Sequence, residues 1–254
     1  MLKKWLPRIS AFVLLWAMVF QHGVPNARAA IAFDAANASQ YPATTVALTI
    51  AATDPVVLVK FMTNGSSSVT SVLVGATAMT LVKKYTNTTG GNPGTDHYVY
   101  ALAAPPTGAQ TITVNVDQAI FYIQAISLTG ADQTTQPDAT NNGGEGSGSA
   151  GSGSVTTVAD NSVGVMFIEY DNNGTAVSAG SDTALGHDFN QTNNTLRAGV
   201  LYSTSAVTPA GATTLNSDGH NTSWSQITVS VKPAAVAVAD SPRSHSGRRA
   251  VMIQ

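Results

Sequence analysis

Short runs of β-branched residues, separated by Gly, Pro, Asn and Asp, make up most of this chain and limit what it can fold into. In the runs 45–50 and 111–116, apolar side chains alternate with Thr, Ala and Asn, which gives each strand one buried and one hydrated face. Long apolar stripes with a helical period are absent from the sequence. The pattern predicts an all-β fold, a two-sheet antiparallel sandwich of jelly-roll type. Strand order stays open, because Greek-key and meander connections leave similar local patterns.

Three further runs are apolar on both faces and predict strands that are covered on both sides. They comprise residues 56–62, 119–128 and 163–168. Lys60 is the only polar residue in the first run, and Gln124 and Ser127 interrupt the second. We expect these runs to form the central strands of the sheets.

The first 29 residues have the pattern of a cleaved export signal. Basic residues within 1–8 precede the apolar run Ile9–Phe20, which is too short to span a bilayer, and Ala27-Arg28-Ala29 offers a cleavage site. The sequence therefore predicts a secreted protein, extracellular or at the cell surface, with no membrane span after cleavage. The chain contains no cysteine, so burial of apolar surface must stabilise it without disulfides.

Residues 30–233 are expected to form a single β-sandwich domain. The Gly/Ser-rich segment 141–154 is typical of a flexible linker and could divide the chain into two domains. Because residues 155–233 contain only about four clear strands, we favour one domain in which 141–154 is a mobile loop. Strand alternation is lost in residues 234–254, which are predicted to be a disordered tail.

The balance of charge excludes one class of partner. Residues 30–240 contain five basic and 14 acidic residues, a net charge near −9. This charge argues against binding nucleic acid through a basic patch. It leaves calcium, glycans and surface polymers open as partners, and it leaves the oligomeric state undetermined.

Three blocks of the sequence resemble a widespread group of bacterial secreted β-sandwich modules that occur within large surface proteins. The blocks are Val69–Val82, Tyr98–Val116 and Ala125–Thr135, in the same order as in that group. They contain structural turns and strands and no catalytic signature. One departure is Leu73-Val74-Gly75, where the group has an aromatic-Asn-Gly turn. The resemblance implies a lectin-like jelly roll at the cell surface with no established activity.

Glycan binding is the first functional hypothesis, and its candidate residues are Trp224, Tyr170 and Gln226. A sugar ring needs an aromatic face with a few fixed polar groups beside it. Trp224 and Gln226 share one face of a predicted strand, and the other residues of that face are polar. The alternative is that Trp224 covers the core from the first residue of this strand.

Calcium is the candidate ion, with Asp171, Asn173 and Asp218 as candidate ligands. The turns 171–174 and 216–219 each contain Asp, Asn and Gly, whose oxygens suit a hard cation. Neither turn has the full EF-hand spacing, and both are also ordinary turn sequences. No cofactor is expected to be required.

Catalysis is not expected. The sequence contains no G-x-S-x-G or H-E-x-x-H motif, and neighbouring residues such as Asp96 and His97 point to opposite faces of a strand. Glu169 and Asp171 share one face and could act as the carboxylate pair of a glycoside hydrolase, although we favour the interpretation that both are hydrated at a strand end.

We therefore predict a non-catalytic surface or matrix module, adhesive or carbohydrate-binding. The alternatives are a structural module that assembles into or decorates a surface layer, and a glycoside hydrolase that uses Glu169 and Asp171.

Overall fold

A computed structural model describes residues 30–89, 92–171, 175–192 and 195–235, and these residues form strands and turns without a helix. The predicted signal at 1–29 and residues 236–254 of the predicted tail lie outside the described residues. In chain order the strands are β1 (Ala32–Gln40), β2 (Thr45–Ile50), β3 (Val56–Asn64), β4 (Val69–Val74), β5 (Thr77–Ala78), β6 (Thr80–Thr86), β7 (Thr95–Ala103), β8 (Gly108–Val116), β9 (Ile120–Thr129), β10 (Ala139–Thr140), β11 (Gly144–Thr156), β12 (Val163–Tyr170), β13 (Ser178–Ala179), β14 (Thr183–Gln191), β15 (Leu196–Ser203) and β16 (Ala212–Val231).

The strands form three antiparallel sheets. The central sheet has the order β1-β9-β3-β7-β6, and the first outer sheet has the order β2-β8-β4-β5. The second outer sheet has the order β10-β16-β12-β15-β14, with β11 and β13 also paired to β16. The predicted all-β antiparallel sandwich is confirmed, but it contains three sheets instead of two.

Strand β3 shows why a third sheet is needed. Val57, Val59 and Phe61 pack in a core shared with the first outer sheet. Val56 and Leu58, which have the opposite parity, pack in a core shared with the second outer sheet. A strand that is apolar on both faces is stable only when both faces are covered. The apolar runs of the sequence therefore indicated the central strands correctly, but the expected number of sheets was too small.

The second outer sheet is covered on its other face by its own longest strands. β11 and β16 pair from Gly144↔Gln226 to Thr156↔Ala212. The first half of β16 contributes Leu215 to a core that also contains Met166 and Ile168 of β12. β12 is thereby buried along its whole length, as its sequence predicts.

The Gly/Ser-rich segment is part of this covering layer, which corrects the prediction of a mobile loop at 141–154. Gly144–Thr156 is strand β11. A Cβ added to Gly151 would lie 2.2 Å from Ile168 Cδ1, and one added to Gly153 would lie 2.1 Å from Thr228 Oγ1. Glycine is therefore required for close contact here, whereas composition alone suggested flexibility.

Candidate functional site

A group of charged and polar side chains is buried between the central sheet and the second outer sheet. It consists of Lys60 on β3, His97 on β7, Tyr122 on β9, Glu169 on β12 and Ser225 on β16, and we call these five residues the buried polar network. Each of them is at most 1% exposed. Strand register brings Lys60, His97 and Tyr122 together. His97 and Tyr122 both pair with Met62 of β3, which lies two positions from Lys60.

Glu169 is the residue that connects the network. Its Oε2 lies 3.1 Å from Lys60 Nζ and accepts a hydrogen bond of 2.7 Å from the Tyr122 hydroxyl. Its Oε1 accepts a hydrogen bond of 3.0 Å from Ser225 Oγ and lies 3.3 Å from His97 Nε2. The Tyr122 hydroxyl also contacts Lys60 Nζ directly. Each carboxylate oxygen thus has two polar neighbours, as a buried charge requires.

The hydrogen bonds around His97 indicate its tautomer. Thr95 Oγ1 donates to the Asn92 carbonyl at 2.7 Å, so its hydroxyl proton is already used. Thr95 Oγ1 also lies 3.0 Å from His97 Nε2, and it must accept from that nitrogen. His97 therefore carries a proton on Nε2, between the Thr95 hydroxyl and the Glu169 carboxylate.

Burial sets the direction of the pKa shift of Lys60, Tyr122 and His97, whereas charges and hydrogen bonds set it at Glu169. Burial lowers the pKa of Lys60, and the charge and hydrogen bond of Glu169 oppose this only in part. Burial would raise the pKa of Glu169, but the nearby His97 and Lys60 and the hydrogen bonds of Tyr122 and Lys60 hold it below its ordinary value. Burial raises the pKa of Tyr122 well above its ordinary value, so the phenol keeps its proton. Burial also lowers the pKa of His97 to about 4, so its imidazole is neutral at pH 7.

An amine, a carboxyl group, a phenol and an imidazole within hydrogen-bonding distance are the groups that acid–base and acyl chemistry uses. In this protein they are closed off from solvent. These side chains can therefore react with one another but not with a molecule dissolved in the solvent.

Sequence reasoning named Glu169 but missed its partners Lys60, His97, Tyr122 and Ser225. One signal was available, because a single lysine in a strand that is buried on both faces must find a counter-charge. The partner itself could not be deduced, since Lys60 and Glu169 are 109 residues apart in the sequence.

The predicted glycan-binding residues do not form an exposed platform. Tyr170 is completely buried, and its hydroxyl contacts Ser217 Oγ and accepts a hydrogen bond from the Gly151 amide. Gln226 is 5% exposed, and its Oε1 accepts hydrogen bonds from Asn141 and Thr228. This corrects the prediction for both residues. The strand alternation was interpreted correctly, but β11 covers the face that was expected to be hydrated.

Trp224 is half-buried and packs against the core that contains Met166 and Ile168. A Cβ added to Gly146 would lie 2.7 Å from Trp224 Cζ2, so the indole lies against the backbone of β11. Trp224 therefore covers part of the core, which is the alternative that the sequence left open.

The two carboxylates of the predicted hydrolase site lie in different environments. Glu169 is completely buried in the network, whereas Asp171 is exposed just after the end of β12. Burial and the charge of Glu169 raise the pKa of Asp171. A dissolved glycan cannot reach Glu169 in this arrangement, so the prediction of a hydrolytic pair is corrected.

The calcium prediction is not decided by the structure. Asp171 and Asp218 are both exposed, and Asn173 lies outside the described residues. Among the residues that the structure describes, no group of three or more His, Cys, Asp or Glu side chains is arranged to hold a metal ion. Asp171, Asn173 and Asp218 therefore stay a predicted calcium site.

Within the described ranges, no helix is long and apolar enough to cross a membrane. Comparisons with known protein families, curated proteins and solved structures gave no match to this chain. The protein is therefore described by its fold and its site: an antiparallel β-sandwich of three sheets, with an ionic network buried between two of them.

Proposed function

We propose that the protein is a secreted, non-catalytic module of a bacterial surface or extracellular matrix, and that its role there is structural. The observation that carries this proposal is the contact between Lys60 and Glu169. Strands β1–β9 form the central and first outer sheets, and β10–β16 form the second outer sheet. The contact therefore ties the first half of the chain to the second half across a buried interface.

The closure of the network supports a role without substrate turnover. Lys60, His97 and Glu169, which could act as acid or base, are at most 1% exposed. A catalytic acid or base must come within hydrogen-bonding distance of the proton that it transfers. A dissolved substrate has no access to these three groups.

A surface groove of about 380 Å³ beside the end of β7 offers few free polar groups for a ligand. The Gln133 amide donates to the carbonyls of Pro55 and Ala131, and the Gln136 amide donates to the carbonyl of Lys232. A specific ligand site needs polar groups that converge on the ligand. Here these polar groups are used inside the protein.

Three edge strands, β1, β6 and β14, favour display of single modules over polymerisation through strand pairing. The register of β1 shifts between Phe33 and Ala35, that of β6 between Leu81 and Lys83, and that of β14 between Leu185 and His187. Bulges at an edge distort the ladder that a second chain would have to pair with. We therefore propose that the module decorates a surface as an individual unit.

Stretching single molecules of the purified protein tests the structural role. We expect β1–β16 to unfold in one step, and we expect Lys60→Met to lower the unfolding force. Lys83→Met is the matched control, because the hydrogen bond of 3.3 Å from Lys83 Nζ to Asn142 is exposed. Separate unfolding of the two halves of the chain, or equal forces for the two variants, would contradict the proposal.

Carbohydrate binding is the second candidate. Trp224 is half-buried, and the Asp171 amide donates to the carbonyl of its neighbour Ser223 at 3.0 Å, so the residue lies close to a predicted calcium ligand. A screen against soluble and insoluble polysaccharides, in calcium and in chelator, tests this candidate and detects turnover. Saturable binding that Trp224→Ala abolishes and Trp224→Phe retains would favour a lectin. Release of sugar products would overturn the non-catalytic proposal.

A further inference from the structure

Lys60 and Glu169 are arranged as two groups that can react with each other. Lys60 Nζ lies 3.1 Å from Glu169 Oε2, which is bonded directly to Cδ. Both side chains are completely buried and are held by strands of two packed sheets. Fixing an amine beside a carboxyl carbon in this way turns a slow bimolecular condensation into a unimolecular one.

We propose that Lys60 Nζ and Glu169 Cδ condense to form an intramolecular amide bond, which joins β3 to β12 covalently. This modification site goes beyond the structural role proposed above and does not depend on it.

The surroundings favour the uncharged amine that the reaction needs. Leu58 and Met62 flank Lys60 on the same face of β3, and Phe167 precedes Glu169 on the same face of β12. All three residues are completely buried. Burial in apolar surroundings disfavours the ammonium of Lys60, whereas the polar neighbours of Glu169 stabilise its carboxylate. The proton of Nζ must therefore pass to Oε2 as the reaction begins, which produces a neutral amine and a neutral acid.

Tyr122 is placed to move the next proton. Its hydroxyl contacts Lys60 Nζ and donates to Glu169 Oε2 at 2.7 Å. It can therefore accept a proton from the nitrogen while it delivers its own proton to the oxygen. Burial raises the pKa of this phenol, so it acts as a relay and stays protonated before and after the step.

Ser225 and His97 are placed to stabilise the other oxygen. Ser225 Oγ donates to Glu169 Oε1 at 3.0 Å, and the protonated His97 Nε2 lies 3.3 Å from the same atom. Negative charge develops on Oε1 when the nitrogen adds to Cδ. The Ser225 hydroxyl is a fixed donor at that atom and has the role of an oxyanion-hole donor, and the polar Nε2–H of His97 lies beside it.

The atoms balance without an oxidant, a reductant or a co-reactant. The Nζ lone pair forms the N–Cδ bond, and the π electrons of the carboxyl group move to Oε1. One proton leaves nitrogen through Tyr122 and reaches Oε2, which already carries the first transferred proton. The Cδ–Oε2 bond then breaks, Oε1 regains its double bond, and Oε2 leaves as water. Overall, one ammonium and one carboxylate become one amide and one water.

Intact mass spectrometry of the purified protein tests the proposal, with its N-terminus fixed by peptide mapping. We expect a mass lower than that of the sequence by one water. We also expect a proteolytic fragment in which the peptides of Lys60 and Glu169 are joined. Mapping is needed because cyclisation of an aspartate also loses water. The full sequence mass, or separate Lys60 and Glu169 peptides at full yield, would overturn the proposal.

Three variants assign the bond to its residues. Lys60→Arg keeps the positive charge but cannot form this amide, so it should have the full mass. Tyr122→Phe keeps both reactants but removes the relay, so a newly made sample should be only partly linked. Lys84→Arg is the matched control, because Lys84 lies 2.8 Å from Asp96 but is exposed, and it should still lose one water. Because the unsubstituted protein decides the question, a variant that fails to fold leaves the test intact.

Discussion

Gly151 of β11 lies against Ile168 of β12 so closely that a Cβ on Gly151 would come within 2.2 Å of Ile168 Cδ1. The Gly151 amide also donates to the Tyr170 hydroxyl at 3.2 Å. These contacts fix the distance between β11 and the face of β12 that β11 covers.

We expect Gly151→Ala to lower the free energy of unfolding by about 1–3 kcal/mol, because the added methyl group overpacks a filled interface. Urea denaturation measures the change. Ser152→Ala is the control, because Ser152 is the exposed neighbour on the opposite face of β11, and it should change stability by less than about 0.5 kcal/mol. Equal effects of the two substitutions would show that β11 does not lie in close contact with β12.

Much of the fold could be predicted from the strand periodicity. The runs at 56–62, 119–128 and 163–168 are apolar on both faces, and they become β3, β9 and β12, which are covered on both faces. β11 could not be predicted from its composition, because glycine permits flexibility and close packing alike. The glycines of β11 alternate with other residues, and this alternation could have predicted a strand with one face made of glycine.

The network was only partly predictable, for a physical reason. Lys60 was noted as the only polar residue in an apolar run, and Glu169 was noted as one of a possible pair of carboxylates. Their contact depends on the stacking of two sheets from opposite halves of the chain. Local patterns determine which face a side chain occupies, but they do not determine which sheet will cover that face.

Relative to unsubstituted protein in which the Lys60–Glu169 amide has not formed, we expect Lys60→Met and Glu169→Gln each to lower the free energy of unfolding by about 3–5 kcal/mol, because each leaves a buried group without its partner. The double variant should lose clearly less than the sum of the two, since it leaves no unpaired charge. Chemical denaturation of the four proteins measures this coupling. Additive losses would mean that the two side chains do not interact in the folded protein.

Glu145 joins the start of β11 to the turn that follows β6. Its carboxylate accepts hydrogen bonds of 2.6–3.2 Å from the amides and hydroxyls of Thr88 and Thr89. Burial opposes ionisation of this carboxyl group, but these bonds outweigh it and hold its pKa well below the ordinary value.

We expect Glu145→Gln to lower the free energy of unfolding by about 1 kcal/mol. The glutamine oxygen is a weaker acceptor than a carboxylate, and the glutamine NH2 group would face the donors of Thr88 and Thr89. Thermal denaturation at pH 7 measures the loss. Asp117→Asn is a comparison, since the Asp117 carboxylate accepts only the Ser68 amide among the described contacts, and its loss should be smaller. A Glu145→Gln variant as stable as the unsubstituted protein would show that this anchor contributes nothing.

The pKa of His97 predicts how stability depends on pH. Burial lowers this pKa from 6.5 to about 4, an effect that Lys60 strengthens and that Glu169, Asp96 and Glu145 oppose. Between pH 6.5 and pH 4 the unfolded chain therefore binds a proton that the folded protein does not. The contribution of His97 to the free energy of unfolding should be constant above pH 7 and should fall by up to about 3 kcal/mol as the pH drops towards 4.

Urea denaturation at intervals from pH 8 to pH 4.5 measures this slope, and His97→Gln should flatten it because glutamine does not titrate. His187→Gln is the matched control. Burial lowers the pKa of His187 as well, but Asp188 opposes the shift and His187 is only partly buried. This variant should therefore keep most of the slope. A slope that His97→Gln leaves unchanged would mean that His97 accepts its proton in the folded state as readily as in the unfolded chain.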